Sequence, residues 1–555
     1  MYWDTKQWSS ACLGDSELAD YAKTATSQHF IVITSKTTKP KVFPLCFIEE
    51  STCVSRRVFK GWRVSSSVFK LFLEYSVSSK MTGPKGLTVW TSSMFIIGAI
   101  AGIGVLSLPK AVEDTGWIGL FFIFVFIVKS AYTATLIGKC WVMIEDRYPE
   151  YRSHVPDPYP IIGEKAFGTF GRNLVTVTNN IFNFGTAVVF MVLAANNVVT
   201  LLANYTDVSF CYWLLVLSVI LAPMTCLGTP KNFWYIGIGA TISTGIACVL
   251  IVIQTVMDKH EQPIVHHSET STLKIFTACG KMVFAVAGHS IFPTIITDMK
   301  KKNDFYKSAL LGYGIVLLMY LPTALSGYLA YGRDVNVNVL KSLSVGNLAH
   351  ITEILITVHL LFGFVIFMNP ICQQFEAIVG VPEEFTWKRC VVRPIIVLAV
   401  LFVSESVPHF GTVLSLVGGS ATTLLAYVFP CVFYMKLCRD VNEELKLGPH
   451  HVINKEGTLT QKSIEYSPLL DHLTGEEESE GAFECEASEA SSPASSRTRI
   501  SEPIVIPMWQ KILNTKIVII GILGGTAATV SAIIDITNPE SLSVPCYVSL
   551  QGAGT

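Results

Sequence analysis

Residues 98–109 read GAIAGIGVLSLP, and residues 284–293 read FAVAGHSIFP. Both stretches lie inside long apolar runs, but their glycines and prolines disfavour a continuous helix. In hydrocarbon an unpaired backbone group is costly, so a broken helix is tolerated only where it lines a cavity or is buried in protein. We therefore expect a helix break in each stretch and a ligand site beside the two breaks.

The glycines of the first stretch also have a second interpretation. Gly98, Gly102 and Gly104 are small residues that would let neighbouring membrane helices pack closely. Pro109 and the matching interruption at residues 284–293 favour a break over close packing alone. At the level of sequence both interpretations stay open.

Composition excludes two large classes of protein. The chain has 555 residues, of which 50% are hydrophobic and 15% charged, with a formal net charge of −1. Soluble domains carry roughly a quarter charged residues, so a soluble enzyme is disfavoured. The 41 basic and 42 acidic residues give no basic surplus for nucleic acid, which is therefore not an expected partner. The lipid bilayer is the expected surrounding.

Long apolar segments alternate with short polar breaks from residue 86 onward, which is typical of a polytopic helical protein. We predict an all-α membrane protein with eleven transmembrane helices. The predicted spans lie near residues 87–109, 116–144, 174–203, 210–228, 233–257, 275–297, 308–331, 346–369, 394–407, 409–437 and 516–536. The interruptions fall in spans one and six, which indicates two inverted five-helix repeats followed by one extra helix.

These spans divide the chain into five parts. We predict that residues 1–85 form a disordered cytosolic segment and that residues 86–438 form a ten-helix transport core. Residues 439–515 are rich in Glu and Ser and cannot bury enough apolar surface to offset their ordering entropy, so a disordered cytosolic loop is expected. Residues 516–536 form the eleventh helix, and residues 537–555 form a short outer tail.

Basic residues set the predicted orientation. With the N-terminus in the cytosol, fifteen Lys and Arg residues flank the inner loops and five flank the outer loops, as the positive-inside rule requires. Asn204 of the sequon Asn-Tyr-Thr then lies in an outer loop and is a predicted glycosylation site. His260, His266 and His267 lie in another outer loop, where they would either gate the protein in an acidic compartment or be incidental solvated residues.

A short sorting signal lies in the predicted cytosolic loop. Residues 465–470 read EYSPLL and combine a tyrosine-based signal with an acidic dileucine signal. The residues concerned are Glu465, Tyr466, Leu469 and Leu470. We expect clathrin adaptors as partners and an endolysosomal, vacuolar or plasma membrane as the location.

The two breaks would expose backbone groups of both polarities. N–H groups at the start of a half-helix suit an anion such as a carboxylate, whereas bare carbonyl groups suit an ammonium group. An amino acid carries both charges and is the predicted substrate. The predicted substrate-binding residues are Gly98, Gly102, Gly104, Ser107, Ala287, Gly288, His289, Ser290, Asn179 and Asn183. The two asparagines share a helix face and would either line the pore or bond neighbouring helices.

At these residues the chain resembles a known family. Residues 102–111, GIGVLSLPKA, followed by Gly116-Trp117, resemble the first-span signature of the amino acid/auxin permease family. Residues 284–294 with the trailing Asp298-Met299-Lys300 are similar to its sixth-span signature. The resemblance covers roughly residues 85–437 and the last span. It implies a LeuT-like fold of eleven spans that moves amino acids, driven by protons or, in some members, by sodium.

One departure from the family bears on the coupling ion. In the sodium-coupled branch an asparagine stands four residues before the first glycine of the GxG, and here that position is Gly98. We therefore expect coupling to H+, with Na+ held by backbone carbonyl groups as the alternative, and we expect no cofactor and no metal site. His289 in the second break and His359 in span eight are the predicted proton carriers. Each would otherwise be a hydrogen-bonded core histidine that does not titrate.

Two further groups of residues receive structural predictions. The 14 cysteines are scattered and form no CxxC pair, so we expect core residues rather than a zinc site or a disulfide framework. Glu353 and Asp535 lie close enough to predicted outer helix ends that we expect them to be wetted.

The sequence therefore predicts a proton-coupled secondary transporter of small amino acids that works by alternating access around spans one and six. The alternative is an amino-acid sensor that binds ligand at the same site and signals through its cytosolic segments. An enzyme is not expected, because no cluster of catalytic groups is recognisable in the sequence.

Overall fold

The computed structural model describes residues 86–152, 155, 157–226, 234–261, 265–382, 386–407, 409–447, 451–453, 459–461, 503–537 and 545–548. All of them belong to the compact unit Pro84–Thr555. The predicted N-terminal segment 1–85 and the predicted sorting residues Glu465, Tyr466, Leu469 and Leu470 lie outside the described residues, as does most of the predicted acidic loop.

Helices make up nearly all of the described structure. The α-helices of the described ranges are α1 (Val89–Ile100), α2 (Gly104–Thr115), α3 (Ile118–Arg147), α4 (Pro158–Leu202), α5 (Phe210–Cys226), α6 (Trp234–Glu261), α7 (Thr272–Ala285), α8 (Phe292–Thr297), α9 (Phe305–Tyr331), α10 (Asn347–Val379), α11 (Arg389–Ser406), α12 (Phe410–Val417), α13 (Phe429–Leu447) and α14 (Met508–Thr537). Two π-helical turns, Gly418–Thr422 and Leu424–Val428, join α12 to α13. A short antiparallel pair, β1 (His451–Ile453) and β2 (Leu459–Gln461), follows α13.

Seven of the described helices are long and apolar enough to cross a membrane. They are α3, α4, α6, α9, α10, the continuous α12–α13 rod and α14, and the bent pair α1 and α2 counts as an eighth if it forms one span. Apolar α5 is shorter, with 17 residues. The all-helical membrane architecture therefore agrees with the sequence, while the count of eleven spans stays a prediction.

Both quoted stretches contain a helix break. The chain leaves α1 at Ala101 and enters α2 at Gly104, and the two helices are bent by 58°. Residues 286–291 separate α7 from α8 without regular helix. Pro109 lies inside α2 rather than at the break, so the glycines mark the first interruption.

Helices extend into both ends of the predicted acidic loop. α13 continues to Leu447, past the predicted end of the core at residue 438, and α14 begins at Met508, before the predicted start of the last span at residue 516. Asn442 on α13 exchanges two hydrogen bonds of 2.8 Å with the backbone of Ile504. The observed helix ends differ from the predicted ones because the added turns are polar, and hydropathy alone assigns polar residues to a loop.

The cysteine prediction is wrong for one pair. Cys211 at the start of α5 and Cys546 form a disulfide across 335 residues of sequence. Partners so far apart leave no local spacing signal, which explains why the sequence did not indicate them. Other cysteines of the described residues are free and mostly buried, as expected for core residues: Cys140, Cys226, Cys248, Cys372, Cys431 and Cys438.

The contact between α2 and α7 yields a first prediction. A Cβ added to Gly104 would lie 2.4 Å from the Cα of Ala285, so Gly104→Ala should push the two half-helices apart. We expect the free energy of unfolding to fall by about 1–3 kcal/mol or more, which would be measured as a lower melting temperature of the purified protein.

Gly314→Ala is the matched control, because Gly314 lies in α9 with open space around the position of its Cβ. It should leave the melting temperature unchanged or raise it. Equal melting temperatures for the Gly104 variant and the wild type would contradict the close packing of the two breaks.

Candidate substrate site at the two helix breaks

A tyrosine of α9 joins the two helix breaks. The hydroxyl of Tyr320 lies 2.8 Å from the carbonyl oxygen of Ile100 and 2.9 Å from that of Ala285. These are the last residues of α1 and α7, so the hydroxyl serves carbonyl groups that the breaks leave without a helical partner. Tyr313, almost two helical turns earlier, donates to the carbonyl of Val286 over 3.1 Å. Both tyrosine side chains are buried.

The glycines allow the breaks to touch. Gly104 packs against Ala285, and a Cβ on Gly288 would lie 2.9 Å from the Cγ1 of Ile100. The close-packing interpretation is therefore correct for Gly104, and it holds together with the break rather than instead of it; Gly288 of the second break packs as closely. Gly98 lies inside α1 and is half-buried.

The start of α2 provides backbone donors beside the break. In any helix the first N–H groups have no intrahelical acceptor, and in α2 these belong to residues 103–106. The N–H of Leu106 is bonded to the carbonyl of Ile103 over 3.2 Å. Ser107 lies one residue beyond this turn, and its hydroxyl donates to the carbonyl of Gly104 over 2.9 Å. Gly104 is therefore better placed than Ser107 to offer a bare N–H group.

His289 lies in the second break with one ring nitrogen engaged. Its Nε2 is 3.2 Å from the carbonyl oxygen of Ser130 and 3.0 Å from the hydroxyl of Thr133, both on α3. A carbonyl oxygen only accepts, so Nε2 carries the hydrogen in this geometry. The other nitrogen, Nδ1, is buried without a hydrogen-bond partner among the described residues. The neutral ring therefore presents a bare acceptor.

Beside this ring is a narrow hollow. It is too constricted to admit a whole water molecule. The hydroxyl of Thr422 is a second buried polar group that lacks a hydrogen-bond partner within the described part of the chain, and it belongs to the first π-helical turn. The lining residues are Phe182, Ala287, His289, Ser290, Thr422, Leu425 and Ala426. Ala287, His289 and Ser290 were predicted from the sequence; Thr422, Leu425 and Ala426 were not.

His359 lies against the first break. Its Nδ1 is 3.3 Å from the carbonyl oxygen of Ala240 and 3.2 Å from the hydroxyl of Thr244, both on α6. Its Nε2 faces Gly102, where an added Cβ would approach to 3.1 Å. Each predicted histidine therefore contacts or belongs to one of the two breaks, and each is nearly fully buried.

The predicted asparagines lie outside the hollow. Asn179 and Asn183 are both buried on α4, but neither lines the hollow. Oδ1 of Asn179 has no hydrogen-bond partner in the described ranges, whereas the adjacent Asn180 donates to Gln374 of α10 over 2.5 Å. Within the described ranges, Oδ1 of Asn180 also lacks a partner, although its amide bonds a neighbouring helix.

Charged groups join the far end of α2 to a position on α7 one turn before its break. Lys281 of α7 lies 3.4 Å from Asp114 of α2, and Lys110 contacts the same carboxylate at 3.0 Å. The buried Glu113 accepts a hydrogen bond of 2.6 Å from the backbone N–H of Ser268. These polar contacts hold the C-terminal end of α2 against α7 and against the loop that precedes α7.

One of the three loop histidines has a specific partner. His267 Nδ1 lies 2.7 Å from the carboxylate of Glu113, and its ring stacks on Tyr328 at 4.3 Å. His267 is therefore not an incidental solvated residue. The predicted sequon lies elsewhere, between α4 and α5, where Asn204 is exposed.

Comparison with known proteins identifies the family. The profile of the family described as transmembrane amino acid transporter protein matches residues 85–453. The chain belongs to this family. The match spans the helices that form both breaks and the hollow, and it makes the protein a multi-pass membrane protein, as the resemblance implied.

Relatives from Arabidopsis thaliana are named amino acid transporters. Amino acid transporter AVT1B is 27% identical over 62% of this chain and 63% of its own length. Amino acid transporter AVT1J is 27% identical over 64% of this chain and 84% of its own length. The alignment thus spans less than two thirds of AVT1B. Among solved structures, that of MhsT in complex with L-phenylalanine covers 81% of this chain at 10% identity with a TM-score of 0.46, a likeness too slight to decide the fold.

The hollow yields a second prediction. Thr422→Val removes a buried hydroxyl that has no partner, so it should raise the stability of the ligand-free protein while weakening substrate binding. An unsatisfied buried polar group lowers stability by about 1–3 kcal/mol, so removal of the hydroxyl should raise the melting temperature. The Kd for the substrate should rise because a hydrogen-bonding group of the site is lost.

Thr423→Val is the matched control from the next position. The hydroxyl of Thr423 donates to the carbonyl of Gly418 over 2.9 Å, so this variant should lower the melting temperature without a specific effect on Kd. Weaker stability and unchanged Kd in the Thr422 variant would exclude its hydroxyl from the site.

Proposed function

We propose that this protein is a secondary active transporter that carries small amino acids across a membrane in symport with protons. The observation that carries the proposal is the pair of helix breaks joined by Tyr320 and flanked by a hollow with unpartnered polar atoms. Membership of the transmembrane amino acid transporter family supports the same function. We further propose eleven spans in a LeuT-like arrangement of two inverted repeats.

A zwitterion matches the chemistry of the breaks. Tyr320 has a single hydroxyl proton for the carbonyl groups of Ile100 and Ala285, and Ile100 also accepts from the N–H of Gly102 over 2.9 Å. The carbonyl oxygen of Ala285 therefore keeps acceptor capacity for an ammonium group. The start of α2 offers N–H groups and the positive end of a helix dipole to a carboxylate. The small hollow favours a compact side chain. Ligand entry would require the lining helices to separate, which fits alternating access.

Protons are the proposed coupling ion. In His289 and His359 one ring nitrogen contacts a backbone carbonyl group. The other nitrogen could therefore accept a proton while the hydrogen bond to the carbonyl group is kept. Gly98 provides no side-chain oxygen for sodium. A sensor that binds without transport is the alternative, favoured by the length of the segments outside the core.

Orientation and location are part of the proposal. Disulfides form in oxidising compartments, so the Cys211–Cys546 pair supports an outer position for the start of α5 and for the chain after α14. This agrees with the positive-inside bias, a cytosolic N-terminus and glycosylation at Asn204. Residues 465–470 would recruit clathrin adaptors and direct the protein to an endolysosomal, vacuolar or plasma membrane.

The transport proposal predicts the result of an uptake experiment. Purified protein in proteoliposomes should accumulate radiolabelled alanine when an inward proton gradient is imposed, and unlabelled small amino acids should compete. A gradient of one pH unit is worth about tenfold accumulation for each coupled proton. A sodium gradient at constant pH is the control and should drive no accumulation.

Binding of alanine without accumulation would favour the sensor. Sodium-driven accumulation would replace the proton by sodium as the coupling ion.

Single histidine variants should separate the two candidates. His289→Gln is expected to flatten the pH dependence of uptake, because the amide keeps one hydrogen bond to α3 but cannot take up a proton. His359→Gln tests the first break in the same way. Uptake measured across a pH series decides between them, and an unchanged profile in either variant removes that histidine from the coupling mechanism.

A further inference from the structure

A carboxylate on α10 is buried without the bonds that a carboxylate needs. Glu353 was expected to be wetted, but its side chain is only 3% exposed, and its Oε2 has no hydrogen-bond partner within the described residues. The expectation is wrong because the chain between α9 and α10 packs over this end of the helix, with Val339 and Leu340 buried. Glu353 is therefore neither solvated nor fully bonded.

Three other buried carboxylates of the described residues show the usual bonding. Glu376 accepts hydrogen bonds of 2.6 and 3.1 Å from Arg393, and Glu113 accepts from His267 and Ser268. Asp258 at the end of α6 accepts from Ser344 and Gln254. Burial of an ionised carboxylate with a bare oxygen is costly, whereas the protonated form removes the charge. Glu353 is thus suited to bind a proton reversibly.

A route for protons leads from solvent to this group. His350, one turn earlier on α10, has a side chain that is 36% exposed, and its Nδ1 lies 3.8 Å from Oε2 of Glu353. A modest side-chain rotation would bring these atoms to hydrogen-bond distance. A proton would then leave Nδ1 as the N–H bond breaks and join Oε2 as the O–H bond forms, with no other reactant.

The surrounding charges are few. The ammonium of Lys341, in the turn before α10, acts on Glu353 electrostatically and is itself bonded to Oδ1 of Asn196 over 2.9 Å. Burial lowers the pKa of Lys341, and the negative charge of Glu353 opposes that change. From α4 the neighbouring groups are the neutral amides of Asn196 and Asn197, the second of which donates to Thr357 on the next turn of α10.

We infer that Glu353 binds the coupling proton on the predicted outer side, with His350 delivering it from solvent. The inference rests on the proposed proton-coupled transport and adds a proton-binding site distinct from the histidines at the breaks. Glu353 lies more than one helical turn from His359 on α10, and it does not line the substrate hollow.

The test uses full-length protein in proteoliposomes with radiolabelled alanine as the probe. Two quantities are measured: accumulation driven by a proton gradient, and exchange of internal for external alanine with no gradient. Glu353→Gln should exchange as the wild type does but accumulate nothing, so its accumulation ratio should fall to unity. Glu353→Asp should restore gradient-driven accumulation in part.

Asp258→Asn is the matched control, because this carboxylate lies at the corresponding end of α6 but is fully bonded. It should keep the accumulation ratio of the wild type. Full accumulation by Glu353→Gln, or loss of its exchange together with accumulation, would overturn the inference. If instead the wild type ignores the proton gradient, proton coupling itself fails.

A second measurement needs no variant and applies if Glu353→Gln does not fold. A hydrophobic carbodiimide adds to buried protonated carboxyl groups, and mass spectrometry of the wild type locates the adduct. Modification of Glu353 should rise as the pH falls and should inhibit gradient-driven uptake. Absence of an adduct at acidic pH would overturn the inference.

Discussion

The fold depends on satisfying the backbone where two membrane helices are interrupted. The hydroxyl of Tyr320 bonds the last carbonyl groups of α1 and α7, and Tyr313 bonds the carbonyl of Val286. Without these donors the carbonyl groups of Ala285 and Val286 would lose these hydrogen bonds inside the bundle, at a cost of several kcal/mol, whereas Ile100 would keep its bond from the N–H of Gly102. α9 therefore permits both breaks, and because one hydroxyl serves two carbonyl groups, it also fixes their separation.

The sequence predicts the breaks but not what holds them. Glycine and proline in residues 98–109 and 284–293 mark the interruptions because their effect on the backbone is local. Tyr320 and Tyr313 lie in an ordinary apolar helix, and nothing in that helix distinguishes a tyrosine that bonds a distant carbonyl from one that faces lipid. Thr422 escapes prediction for the same reason, since a π-helical turn has no clear sequence signal. Such roles arise only from tertiary packing.

Burial of charged groups was the least predictable property. Glu353 lies near a predicted helix end, where hydropathy indicates contact with water, yet it is buried, and Lys341 of the turn before α10 lies near it. The sequence places His267 in an outer loop, where contact with water is expected, but its Nδ1 lies against the carboxylate of Glu113. In both cases a connecting segment folds back onto helix ends, and the distance between partners along the chain hides the contact.

Buried polar atoms without a hydrogen-bond partner among the described residues occur at several places, and two of them belong to residues that line the hollow. Asp114 and Glu113 at the far end of α2, and Lys281 one turn before the end of α7, all have partners. Nearer the breaks, Nδ1 of His289 and the hydroxyl of Thr422 have none in the described residues. A folded membrane protein gains no stability from such atoms, so packing alone does not account for them. A ligand that forms hydrogen bonds with both atoms would remove this cost on binding. The free energy lost to the unsatisfied atoms would then contribute to the affinity for the ligand.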